Sequence, residues 1–119
     1  MEDNCPISRW EILKNQLNNL PPKAFKTALE NQTESILIDC RTLKEFETGH
    51  LSNAVNMDYL GEGFYDQMER LDLEKSYLIY CRSGRRSTRT CTLMKNAGFK
   101  NIYNLDGGLK EWARVLGDI

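Results

Sequence analysis

Short apolar runs alternate with longer amphipathic segments along most of the chain. Two of the runs, at residues 35–38 and 77–80, are rich in β-branched and aromatic residues and carry no charge. Such runs are typical of strands that are buried on both faces of a sheet. The segments between them place apolar residues at helical spacing, as Phe64, Met68 and Leu71 do. This alternation predicts a parallel sheet covered on both sides by helices.

The same pattern defines the predicted elements. We predict strands at residues 35–38, 54–56, 77–80 and 101–105. We predict helices at residues 22–30, 42–49, 64–71, 87–97 and 109–116. Pro22 and the capping-box pair of Thr42 and Glu45 support two of the helix starts, and Gly98 is placed to end the helix at 87–97. Ser8 and Glu11 have capping-box spacing too, and predict a further helix near the N-terminus.

The residues that follow the strand at 77–80 carry the clearest chemical signal. The strand runs into Cys81, a loop with one glycine and three arginines follows, and Ser87 opens the next helical pattern. Such a loop binds anions, because its N–H groups point inward and the helix dipole is positive there. The amides and arginines also favour the charged form of a thiol. We therefore predict that Cys81 is a nucleophile, kept ionised and facing solvent at the carboxyl edge of the sheet, with an anionic substrate.

The loop from Cys81 to Arg86 resembles the active loop of the rhodanese family of sulfurtransferases, in which a cysteine heads a six-residue loop containing glycine and arginine. Other family-like pieces follow in the expected order: residues 38–41, 45–51, 54–56 and 105–108, and then Trp112. The resemblance covers about residues 17–115. It implies a single-domain rhodanese-like fold at residues 17–119, a five-stranded mostly parallel sheet with helices on both faces, after an N-terminal helical extension at 1–16.

The N-terminal segment allows two interpretations. Apolar residues recur there at helical intervals, namely Trp10, Leu13, Leu17 and Leu20. The rhodanese resemblance instead implies that the helix ends earlier and that a short first strand lies near residues 16–18. Both interpretations stay open at this point.

Sulfur transfer is the activity that the resemblance implies. Cys81 would take a sulfane sulfur from thiosulfate or a persulfide donor and hold it as a persulfide. A thiophilic acceptor would then remove it: cyanide in the test tube, and a thiol or a sulfur-relay protein in the cell. A preformed thiolate needs no general base for this chemistry, and we predict neither a metal nor a cofactor. The only histidine, His50, is predicted to be structural.

Six loop residues are predicted to bind the substrate: Arg82, Ser83, Gly84, Arg85, Arg86 and Ser87. Arg85 and Arg86 are expected to hold oxyanions through bidentate contacts. The two serines and the glycine are expected to act through their backbone N–H groups, with the glycine permitting the tight turn.

Three residues after the strand at 35–38 are predicted to lie near this loop. Asp39 and Arg41 are expected to form an ion pair that anchors its edge. Cys40 departs from the family, which usually has an aliphatic residue at that position. If its strand neighbours the Cys81 strand, as in rhodaneses, the two backbones are about 4.8 Å apart. Cys40 is then a candidate second thiol that resolves a disulfide or passes sulfur onward, the alternative being a core side chain.

Composition restricts the class of protein and its partners. A chain of 119 residues fits one domain, and a net charge of −1 argues against nucleic acid or an acidic membrane as the main partner. The four cysteines match neither a zinc pattern nor a secreted disulfide scaffold, so reduced thiols are expected. The acidic start lacks the apolar segment of a signal peptide, which favours the cytoplasm.

Two alternatives to a sulfurtransferase stay open. Cysteine-dependent phosphatases and arsenate reductases on a related fold resemble Cys-x5-Arg, whereas here the arginine falls at Cys-x4-Arg and Ser87 takes the next position. The shorter loop leaves room for a sulfur atom rather than a phosphate, and it contains no carboxylate to act as a general acid. The other alternative is a binding module that kept the fold and lost the chemistry.

Overall fold

The structure is a computed structural model that describes residues 8–119. A parallel β-sheet forms its centre. The strands are β1 (Asn18–Leu20), β2 (Ile36–Asp39), β3 (Val55–Asn56), β4 (Ser76–Tyr80) and β5 (Asn101–Leu105). The helices are α1 (Arg9–Asn15), α2 (Pro22–Asn31), α3 (Leu43–Glu47), α4 (Phe64–Glu69), α5 (Arg85–Asn96) and α6 (Gly108–Leu116). The sheet order is β1-β5-β4-β2-β3, and all four pairings are parallel. The predicted α/β fold is confirmed.

Each face of the sheet carries its own hydrophobic core. Side chains alternate between the two faces along a strand, so Tyr77 and Ile79 of β4 face α4 and α5, while Leu78 and Tyr80 face α2 and α6. Cys81 continues this alternation and lies in the core beneath α5. All five side chains are fully buried. The apolar run at 77–80 is therefore the central strand that its pattern predicted.

The N-terminal segment contains both a helix and a strand. α1 ends at Asn15, so the helical interpretation of Leu17 and Leu20 is wrong. β1 begins at Asn18, at the end of the range that the resemblance implied, and pairs with β5. The Asn19 side chain donates to the carbonyl of Lys14, which holds the turn between the two elements. Asparagine competes in this way with helical hydrogen bonds.

Helix α5 begins at Arg85, two positions before the predicted start at Ser87. Gly84 precedes it with φ of +96°, a conformation that glycine adopts without steric cost, and its carbonyl accepts from the N–H of Thr88 at 3.0 Å. Two of the loop arginines therefore lie in the first turn of a helix rather than in a loop.

Part of the predicted N-terminal extension lies outside the described residues. Residues 1–7, including Cys5, belong to it, and the division at 16/17 stays a prediction. None of the helices within residues 8–119 combines the length and apolar character that crossing a bilayer demands.

Candidate active site

The loop after β4 is held against the start of α6. The N–H groups of Leu109 and Lys110 donate to the carbonyls of Cys81 and Arg82, both at 2.9 Å. Gly108 makes this approach possible, since a Cβ there would lie 2.6 Å from the Cys81 carbonyl oxygen and from the carbonyl group of Arg82. No side chain fits in that space. The Gly107-Gly108 pair thus fixes the base of the site from a different part of the chain.

The sulfur of Cys81 is surrounded by hydrogen-bond donors. Its Sγ atom accepts from the N–H of Gly84 at 3.1 Å and from the N–H of Ser87 at 3.3 Å. The Ser87 hydroxyl lies 3.4 Å from the same atom. Ser83 is exposed, and none of the hydrogen bonds within residues 8–119 joins it to this sulfur. Two of the three expected backbone donors therefore point at the thiol in this structure.

These donors shift the ionisation of the thiol. The pKa of Cys81 is lowered from 9.0 to about 5, chiefly by a hydrogen bond from Cys40, and further by the hydroxyl and N–H of Ser87 and the N–H of Gly84. Burial acts in the opposite direction but does not prevail. At neutral pH the residue is therefore a thiolate, the form of cysteine that is nucleophilic.

The expectation that this sulfur faces solvent is wrong. Cys81 has 0% exposure, because its side chain turns into the core face of β4 and lies under the loop amides. A donor can reach the sulfur only if the loop or its side chains move aside. Arg82, Ser83 and Arg85 in this loop are exposed, so the cover is thin on that side.

The three loop arginines diverge in this structure. Arg82 is exposed and makes no ion pair with another residue of the 8–119 range. The guanidinium of Arg85 lies 5.0 Å from the centre of the Trp10 ring in α1, a cation–π contact. Arg86 donates to both carboxylate oxygens of Glu45, at 2.6 and 3.1 Å. A substrate-docking role for these arginines stays a prediction. To bind substrate, Arg85 would have to leave Trp10 and Arg86 would have to leave Glu45.

Glu45 is a residue of the site that sequence reasoning treated only as a helix cap. It does cap α3, because its carboxylate accepts from the N–H of Thr42 while its own N–H donates to the Thr42 hydroxyl. The Arg86 hydrogen bonds lower the pKa of this carboxylate to about 2. Glu45 and Arg86 are far apart in sequence, and no local pattern reveals the pair.

The end of β2 and the two residues after it lie beside β4, the strand that leads into the active loop. Arg41 and Asp39 form a buried ion pair with a shortest distance of 2.7 Å, and Arg41 also donates to the carbonyl of Gly49 at 2.6 Å. Cys40, the residue between them in the sequence, has 0% exposure and belongs to the same core cluster as Cys81. The Nδ1 atom of His50 lies 2.9 Å from the Phe46 carbonyl oxygen, which accepts a hydrogen bond from it, and the imidazole stacks on the Phe46 ring.

Replacing Glu45 by glutamine is expected to lower the free energy of unfolding by about 1 kcal/mol at neutral pH, because the ion pair with Arg86 is lost. Glutamine still fits the capping box, so α3 keeps its start. The folded-state pKa of Glu45 lies below its unfolded value, so the stabilisation is complete above about pH 4.5 and disappears as the pH falls through about 2. Denaturant unfolding at neutral and acid pH measures both effects.

Glu47→Gln is the matched control, since Glu47 is exposed on the same helix. Its unfolding free energy should stay close to wild type at both pH values. An equal loss for the two variants, or a Glu45→Gln deficit that grows in acid, would contradict the assignment of the ion pair.

Known proteins resemble this chain both in sequence and in fold. A profile of the family described as "Rhodanese-like domain" matches residues 21–115. The Bacillus subtilis protein named "Putative sulfurtransferase YtwF" is 34% identical over 97 residues, which are 82% of this chain and 91% of that protein. The tRNA uridine(34) hydroxylase of Erwinia tasmaniensis is 31% identical over 93 residues, 73% of this chain but only 26% of the hydroxylase.

A solved structure gives the same answer for the fold. The crystal structure of reduced Bacillus anthracis CoADR-RHD superposes with a TM-score of 0.75 at 23% identity, over 90% of this chain and 18% of that one. At this identity the likeness concerns the fold alone. The family profile, which matches most of the sequence, establishes the relationship, and the chain belongs to the rhodanese-like domain family.

Proposed function

We propose that this protein is a sulfurtransferase that moves a sulfane sulfur from thiosulfate or a persulfide donor to a thiophilic acceptor through a Cys81 persulfide. The observation that supports this most strongly is the pair of N–H groups, from Gly84 and Ser87, at 3.1 and 3.3 Å from the Cys81 sulfur. They stabilise a thiolate without any general base. The relative named as a sulfurtransferase is in accord with the proposal.

The reaction consists of two displacements. The Cys81 thiolate attacks the outer sulfur of thiosulfate, the S–S bond of the donor breaks, and sulfite leaves with the electron pair. The resulting persulfide keeps one negative charge, which the same amides and the helix N-terminus can stabilise. An acceptor such as cyanide then takes the outer sulfur, giving thiocyanate and restoring the thiolate.

The loop geometry favours sulfur transfer over phosphate hydrolysis. Two inward N–H groups already bond to the Cys81 Sγ atom. Arg86 is paired with Glu45 and is therefore not open to an oxyanion. Glu45 itself has a pKa near 2, so it stays charged and is no proton donor to a leaving alcohol. Neither the loop nor Glu45 therefore supplies the general acid that a phosphatase reaction needs.

The expected partners are the donor and the acceptor of the sulfur. We propose an anionic sulfur donor and, in the cell, a thiol or a sulfur-relay protein as the acceptor, in the cytoplasm and without nucleic acid or a membrane. The hydroxylase name describes a protein of which this chain matches about a quarter, so hydroxylation of tRNA is not included in the proposal. No cofactor is invoked.

Parallel assays on the purified protein test the proposal. Thiosulfate and cyanide should give thiocyanate, and para-nitrophenyl phosphate should release no phosphate. Phosphate release without thiocyanate would favour the phosphatase alternative. If neither product forms, the non-catalytic module is the better description.

A further inference from the structure

Cys40 and Cys81 occupy equivalent positions at the ends of two paired strands. In the parallel register of β2 and β4, Asp39 lies opposite Tyr80, so the next residue of each strand is a cysteine. The pairing continues into these residues, because the N–H of Cys40 donates to the Tyr80 carbonyl at 3.0 Å. Neighbouring strands are about 4.8 Å apart. That spacing lies within the Cα separation of about 4.4 to 6.8 Å that a disulfide spans.

The two side chains also face the same way. Both belong to the core cluster beneath α5, and both have 0% exposure. The Cys40 sulfur lies 3.3 Å from the Tyr80 carbonyl oxygen, directly beside the Cys81 backbone, and the Cys40 thiol makes the largest contribution to lowering the pKa of Cys81. No reorientation across the sheet is needed for these two sulfur atoms to meet.

We propose that Cys40 is a resolving thiol that attacks sulfur-loaded Cys81, forms a Cys40–Cys81 disulfide and expels hydrosulfide. The inference rests on the proposed function, since it needs a persulfide on Cys81. It makes Cys40 a second catalytic residue and hydrosulfide a second product. No external acceptor is then needed to take the outer sulfur from Cys81.

Atoms and charge balance in this step without an added oxidant. The Cys40 sulfur attacks the inner sulfur of Cys81, the bond to the outer sulfur breaks, and that sulfur leaves with the electron pair. The Cys40 proton goes to the departing sulfur, giving HS⁻, while the two cysteine sulfurs become a disulfide. The outer sulfur is thereby reduced. An external dithiol must reduce the disulfide before the next turnover.

The direction of attack follows from the packing. Cys40 approaches Cys81 from the neighbouring strand, inside the core cluster that the two residues share. The added sulfur must extend away from this packed side, toward the loop. Displacement at the inner sulfur then leaves hydrosulfide on the side nearest to solvent.

Cys91 offers a matched control because it is as buried as Cys40 but does not lie at the end of a strand that pairs with β4. It lies on α5 in the same core cluster and has 0% exposure. Burial raises its pKa, and it makes no hydrogen bond to Cys81 among those of the described residues. It should therefore take no part in resolution.

The experiment starts from a Cys5→Ser background, which removes the thiol outside the described residues. This background, together with Cys40→Ala, Cys91→Ala and Cys81→Ala versions, is incubated with thiosulfate and no cyanide. Sulfide is trapped and quantified. Each cysteine lies on its own tryptic peptide, at residues 1–9, 27–41, 76–82 and 90–95, so non-reducing mass spectrometry locates both products.

The Cys5→Ser protein and its Cys91→Ala version should release sulfide and link peptide 27–41 to peptide 76–82. Cys40→Ala should release sulfide at least about tenfold more slowly, because the intramolecular thiol is lost. It should instead accumulate a mass gain of about 32 Da, one added sulfur, on peptide 76–82. That gain also shows that the variant is folded and that its Cys81 still accepts sulfur.

Other outcomes overturn the inference in distinguishable ways. A stable persulfide on peptide 76–82 of the Cys5→Ser protein, with no sulfide and no linked peptide, removes the resolving role and leaves the proposed function intact. So does a gain of one sulfur on peptide 27–41, which would mean relay rather than resolution. If neither the Cys5→Ser protein nor its Cys40→Ala version gains sulfur or releases more sulfide than the Cys81→Ala version, the proposed function fails and the inference falls with it.

Discussion

Cys81→Ala is expected to abolish thiocyanate formation, with a fall in kcat/KM of at least about a thousandfold. The variant keeps the loop and its arginines but has no atom that can carry the sulfur. The two amides that bond to Sγ remain, so any residual rate measures what an anion-binding loop achieves without a nucleophile. The cyanide-dependent assay with thiosulfate measures the loss.

Cys91→Ala is the control for this variant. It removes an equally buried thiol, on α5, and should keep activity within about twofold of wild type, since the donors to the Cys81 sulfur come from Gly84 and Ser87 and stay in place. Equal losses in the two variants would indicate that the core, and not the nucleophile, was damaged. Full activity in Cys81→Ala would refute the assignment of the reaction to this residue.

Gly108→Ala is expected to disrupt both the fold and the site. The residue has φ of +64°, and an added Cβ would lie 2.6 Å from backbone atoms of Cys81 and Arg82. Backbone atoms cannot rotate away as a side chain can, so the loop must shift. We expect a loss of about 3 kcal/mol or more in the free energy of unfolding and, in the protein that still folds, a large fall in kcat. Denaturant unfolding and the thiocyanate assay measure the two effects.

Gly98→Ala separates backbone strain from the clash. Gly98 has φ of +104°, but an added Cβ would have nothing within 4 Å. Its alanine variant should therefore lose only about 1–2 kcal/mol, the cost of placing alanine in a left-handed conformation, and should keep its kcat. If Gly98→Ala and Gly108→Ala behave alike, the contact between α6 and the active loop has no special importance.

The sheet was predictable because its signals are local. The apolar run at 77–80 has no polar face, and such a strand must lie in the middle of a covered sheet. The capping box at Thr42 and the glycine after α5 marked helix ends through hydrogen bonds within a single turn. The errors came where polar side chains served another purpose. Ser87 looked like a helix start, but its hydroxyl faces Cys81 from within α5.

The candidate nucleophile could be located from sequence, whereas its surroundings could not. Cys81 is identified by the strand before it and the helix after it. The position of its loop depends on α6, which docks through the N–H groups of Leu109 and Lys110 from a separate part of the chain. The pairing of Arg86 with Glu45 is also distant, since the two residues are 41 positions apart. Long-range contacts of this kind leave no periodic pattern in a sequence.

A pH titration of the Cys81 thiolate tests the central claim most directly. The ultraviolet absorbance of a thiolate, taken as the difference between wild type and Cys81→Ala, reports this one group. With its pKa lowered to about 5, the difference signal should be constant at neutral pH and fall with a midpoint near that value. A midpoint near 9.0, the ordinary value, would show that the surrounding donors do not hold the sulfur ionised, and would contradict the account.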